Sequence, residues 1–133
     1  MAVFCCPVTI DRRMDLAVLN SSKSVPFSAE FMNSNSYVVA ADFHTRADGI
    51  EAMKQVVAEV TAPSLEEEGC QIYHWSQSAE EPTLFLLYME WRDKACFETH
   101  IATPHVKHAE DRLKREQLLV EPSREWHFYR LQS

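Results

Sequence analysis

The order of structural signals from residue 37 onward, β-α-β-β-α-β, predicts an α+β fold of the ferredoxin-like, split β-α-β kind: a four-stranded sheet with helices on one face. A second observation concerns the bare face. The second and third strands carry large apolar side chains at both parities, so both faces of the sheet must be buried, and a second copy of the chain is the economical cover. This predicts a dimeric α+β barrel, that is, a homodimer. Third, 133 residues that are 46 % hydrophobic, with three Trp, four Tyr and seven Phe, suffice for one domain with a filled core.

The elements follow in order. Residues 1–36 read as an N-terminal extension, partly packed or flexible, because Ser21, Ser22, Ser24, Ser28, Ser34 and Ser36 punctuate weak periodicity while Phe4, Ile10, Leu16, Phe27 and Phe31 need cover. The folded domain spans 37–133. Its first strand, Tyr37 to His44, sets Val39, Ala41 and Phe43 on one face and Val38, Ala40, Asp42 and His44 on the other. Ile50, Met53, Val57 and Val60 then mark an amphipathic helix that Pro63 kinks or ends. Gly69 turns the chain into a second strand, Cys70 to Ser76, with Tyr73 and Trp75 opposite Cys70 and Ile72. Glu80-Glu81-Pro82 forms the hairpin loop to a third strand, Leu84 to Trp91. Two short helices meet at a break around Thr103-Pro104, the first capped by Asp93 and the second by Thr103, and a last strand runs from about Arg124 to Leu131.

A net charge of −7 without a basic patch argues against nucleic acid as a partner. No apolar run reaches the roughly 20 residues that span a bilayer, so no membrane partner is expected. Cysteines stand at 5, 6, 70 and 96, and none has the Cys-x-x-Cys spacing of a zinc or redox site. The Cys5-Cys6 pair is incidental, reactive or lipidated, and Cys70 reads as core packing. A reducing, cytoplasmic location is expected. Arg12, Arg13 and Lys23 among the serines would suit an organellar transit peptide, against which Asp11, Asp15 and Glu30 count.

The richest chemistry lies in Glu98-Thr-His-Ile-Ala-Thr-Pro-His-Val-Lys-His108, which holds three of the chain's six histidines at the helix break. His105, in the first turn of the second helix, meets unpaired backbone N–H groups whose partial positive charge favours a neutral ring. A neutral imidazole can act as a base, so His105 is the first candidate catalytic residue and His100 the second; a purely structural joint is the alternative. His44 can reach the same pocket from the end of its strand, and Asp42 can orient a histidine. Tyr73, Trp75, Tyr88 and Trp91 can wall an aromatic substrate. His108 and His74 read as solvated or without a clear partner.

The run Glu68-Gly-Cys-x-x-Tyr73, then Pro82-x-x-Phe85-x-x-Tyr88, then Trp91-Arg-Asp and the interval through His100 to Thr-Pro-His105 resembles the antibiotic biosynthesis monooxygenase family over about residues 37–131. The resemblance implies dimeric α+β barrels and three branches: cofactor-independent monooxygenases of quinols or polycyclic phenols, an autoinducer-processing isomerase, and haem-degrading enzymes. Thr-Pro-His105 followed by Lys107 is similar to the first two. It implies an oxidoreductase with no cofactor and no metal, oxidising a quinol or phenolic aromatic with His105 as base. A proton-transfer isomerase of a small hydroxy-ketone, or a non-catalytic dimeric ligand-binding module, are the alternatives. Many relatives carry a Glu two residues before the aromatic at Trp91; here that place holds Met89, and Glu90 lies on the opposite face of the strand. At the places of the haem-degrading branch's Asn and Trp stand Asp42 and His100.

Overall fold

The computed structural model describes residues 35–131. Expectations for the N-terminal extension, its Cys5-Cys6 pair and targeting therefore lie outside the described residues, save for Asn35 and Ser36. Strands β1 (Tyr37–His44), β2 (Cys70–Gln77), β3 (Leu84–Trp91) and β4 (Arg124–Tyr129) alternate with helices α1 (Ile50–Leu65), α2 (Lys94–Ile101) and α3 (Pro104–Arg115). A 3-10 turn, Ala47–Gly49, leads into α1. The strands form one antiparallel sheet in the order β2-β3-β1-β4, the ferredoxin-like arrangement that the element order predicts.

Register decides what faces the helices. Tyr37, Val39, Ala41 and Phe43 of β1 lie beside Trp91, Met89, Leu87 and Phe85 of β3, and Tyr73 and Trp75 of β2 lie beside Met89 and Leu87. With Val60 of α1, Phe97 of α2 and Val106 of α3 these side chains make the core. Two details depart from the sequence expectation. The buried stripe of α1 runs through Met53, Val56, Val60 and Ser64 rather than Ile50 and Val57, and Pro63 sits inside the last turn without ending the helix early. In β2 a register shift between Cys70 and Ile72 puts an extra residue opposite β3. Such a bulge inverts the parity beyond it. Cys70 therefore packs against the core while Ile72 points to the other face, instead of the two sharing a side.

The opposite face of the sheet has no helix on it among the described residues. Ile72, Leu86, Trp126 and Phe128 are exposed there. Glu90 also belongs to that face and is buried, because Arg130 donates to both of its oxygens and the Tyr88 hydroxyl donates to one. Paired and hydrogen-bonded on all sides, this carboxylate can stay out of water.

Candidate active site

The site forms where α1 ends and α2 gives way to α3. Asp93 caps α2 by accepting from the Cys96 amide at 2.9 Å, which fixes the start of the helix carrying His100 on its last turn. Pro104 occupies the first turn of α3 as expected, whereas the Thr103 side chain makes no cap bond. Its hydroxyl instead donates to the His100 carbonyl at 2.7 Å, tying the two helices together across the break.

Between the histidines stands Glu67, just past the end of α1. One of its oxygens, Oε2, accepts from Nδ1 of His100 at 2.9 Å and from Nε2 of His105 at 2.6 Å; the same nitrogen of His105 also lies 3.3 Å from the Thr103 hydroxyl. His100 is only 3 % exposed. Its ring lies 4.6 Å from the Trp91 ring, centroid to centroid, with the Tyr73 ring edge-on at 5.6 Å. Burial holds the His100 imidazole below its ordinary pKa, and the Glu67 hydrogen bond only partly offsets this. The ring is neutral near pH 7. With Nδ1 given to Glu67, Nε2 is left as the nitrogen with a free lone pair.

His100 lines a cavity of about 140 Å³. Phe43, Tyr73, Trp75, Leu87 and Met89 form its sheet side; Met53, Val56 and Val60 of α1, Phe97 of α2 and Val106 of α3 close it from the helices. Its other polar lining groups, Glu110, Ser123 and Glu125, are solvent-exposed and mark the open side. The Trp75 indole nitrogen is buried without a partner, a donor beside an apolar chamber. Burial raises the Tyr73 phenol above its usual value, so it too stays neutral.

The predicted residues divide accordingly. His100, Tyr73 and Trp75 converge on the cavity; His105 reaches it only through Glu67. Trp91 is fully buried and supports the His100 ring from behind. His44 lies elsewhere, between Glu81 at 2.8 Å and Glu121 at 3.0 Å, whose carboxylates raise its pKa. Asp42 is paired with Arg124, which lowers its pKa, and Tyr88 with Glu90 on the open face. His74 and His108 are exposed. Glu67 carries the site and was not singled out in the sequence, where it sits inside Glu66-Glu67-Glu68 and reads as a solvated turn. Met89 faces the cavity, as its parity requires, so the carboxylate that meets His100 comes from α1's end instead of β3.

The sequence profile of the antibiotic biosynthesis monooxygenase family matches residues 36–112. Among solved structures, a Nitrosomonas europaea protein named as a candidate antibiotic biosynthesis monooxygenase superposes with a TM-score of 0.70 at 24 % identity, over 74 % of this chain and 93 % of that one. A Pseudomonas aeruginosa protein reaches a TM-score of 0.68 at 28 % identity, over 74 % of this chain and 97 % of its own. A conserved Methanosarcina mazei protein gives 0.69 at 20 % identity, over 77 % and 99 %. No curated protein sequence gives a significant match.

Proposed function

Because the chain belongs to the antibiotic biosynthesis monooxygenase family, we propose that it is a small oxygenase that oxidises a single-ring quinol or phenol without a resident cofactor, using Nε2 of His100 as the base. The observation that carries this reading is a buried, neutral imidazole whose Nδ1 is held by Glu67 while its ring lines an aromatic-walled cavity. Size supports the substrate class. A cavity of about 150 Å³ holds benzene, and at about 140 Å³ this one suits one ring better than a fused polycycle. The exposed carboxylates Glu110 and Glu125 on the open side oppose an anionic ligand and favour a neutral phenol.

In this reading Nε2 takes the substrate's hydroxyl proton, and the phenolate, far easier to oxidise than the phenol, passes an electron to dioxygen. Ring radical and superoxide combine at a ring carbon, and the peroxide loses water with the help of the proton held on His100, leaving a carbonyl. One oxygen atom ends on the ring and the other in water, so no external reductant is needed. His105 and Thr103 act on the base indirectly, by fixing Glu67. Tyr73 and Trp75 offer the substrate apolar faces and polar hydrogens.

We further propose a homodimer, supported by Ile72, Leu86, Trp126 and Phe128 exposed on one sheet face. The enzymatic reading is tested by following oxygen uptake with a panel of single-ring quinols. Uptake by the native protein, reduced about a hundredfold or more in His100→Ala, is expected. Solvent deuterium entering a hydroxy-ketone with no oxygen uptake would replace the oxygenase with an isomerase using the same base.

A further inference from the structure

We propose that Glu67, His100 and His105 also form a binding site for a zinc-class divalent ion, and that filling it silences the base; the second clause rests on the role given to His100 above. The three donor atoms, a Glu67 oxygen, Nδ1 of His100 and Nε2 of His105, all lie within 4.8 Å of one another. They come from the end of α1, the last turn of α2 and the first turn of α3, so the fold rather than a local sequence run assembles them. Two imidazole nitrogens and one carboxylate make a donor set that holds zinc tetrahedrally with one position open. Bonds of about 2.0–2.2 Å set the ligand atoms of such a site roughly 3.3 Å apart. To admit the ion, the present hydrogen bonds of 2.6 and 2.9 Å widen by several tenths of an ångström, and the two ring nitrogens, within 4.8 Å of each other, settle to the same spacing.

The ion also has a way in. A separate open cleft, sharing no lining residue with the aromatic cavity and bordered by Glu67, Thr103, Asp93 and Cys96, reaches solvent. An ion and its remaining water ligand can enter there without passing through the cavity.

Tautomer chemistry links the two sides. With Nδ1 on the ion, the His100 proton must sit on Nε2, which then donates instead of accepting and cannot take a substrate proton. With Nε2 of His105 on the ion, that ring likewise carries its proton on Nδ1.

The test uses the full chain freed of metal by chelation and titrated with Zn²⁺ and with Co²⁺. A single ion per chain is expected, with the ligand-field absorption of tetrahedral cobalt. Affinity should fall about a hundredfold or more in Glu67→Gln and His105→Gln, which keep side-chain volume and hydrogen bonding. X-ray absorption of the zinc-loaded native protein needs no variant, and it should show two imidazoles and oxygen neighbours without sulfur. Sulfur in the coordination sphere, an undiminished affinity in both variants, or no binding would each overturn the site. In the same samples, oxygen uptake should fall in step with occupancy; full activity in the loaded protein would overturn the silencing. Metal-free protein that oxidises no quinol would instead overturn the base, while the absorption spectrum would still decide the ion site.

Discussion

Burial depresses the pKa of His100, and the sign of that shift fixes how the fold responds to acid. Above the unfolded chain's value of about 6.5 both states are neutral at this residue and nothing is gained or lost. As pH falls below it, the unfolded chain takes up a proton that folded His100 refuses, so stability declines until the folded value is reached. Urea midpoints of metal-free protein measured downward from pH 7 should show this loss, and His100→Gln should remove this residue's share of it. Glu67→Gln keeps an acceptor for Nδ1 but removes the charge. It should lower kcat at least tenfold with little change in KM, because Glu67 touches the base and not the cavity. At this scale the sequence revealed half the site. His100 and His105 stand out by their spacing around Thr-Pro, whereas Glu67 is one of three consecutive glutamates, and only the bend after α1 selects which of them turns inward. The order of importance between the histidines also depends on that bend, since Glu67 links His105 to His100 and only His100 of the three lines the cavity.

The elements are legible where periodicity and capping agree. Parity in β1 and β3, Asp93 before α2 and Pro104 in the first turn of α3 all lie where the pattern puts them. The bulge at Cys70–Ile72 was not legible, because an inserted residue leaves an ordinary alternation on either side and shows only against the partner strand. Just before it, Gly69 adopts φ +86°, and a Cβ there would overlap the Cys96 sulfur. Gly69→Ala should therefore destabilise the protein by about 1–3 kcal/mol in thermal or denaturant unfolding. Because the same turn sets Glu67, activity should fall in this variant even at temperatures where it remains folded.

At the scale of the whole molecule, the sheet divides the work. Its inner face with the helices builds the cavity, and its outer face offers Ile72, Leu86, Trp126 and Phe128 around the Glu90–Arg130 ion pair. None of the described helices is long and apolar enough to cross a membrane. Leu86→Glu adds an unpaired charge to the outer face without touching the cavity. It should convert the proposed dimer to a monomer in sedimentation or light scattering, and an unchanged mass would remove that face as the interface. The apolar outer face was readable from apolar residues at both parities of β3, while the buried Glu90 within that face was not, since its partner Arg130 lies 40 residues away in sequence.

Nitrogen-15 NMR of the His100 imidazole, in metal-free protein near pH 7, reads out whether Nε2 stands bare before a single-ring ligand. The expected spectrum has the proton on Nδ1 and none on Nε2, and a single-ring quinol added without oxygen should move the Nε2 resonance while those of His44 remain in place. A proton found on Nε2, a charged ring, or an Nε2 resonance indifferent to the quinol would contradict His100 as the base.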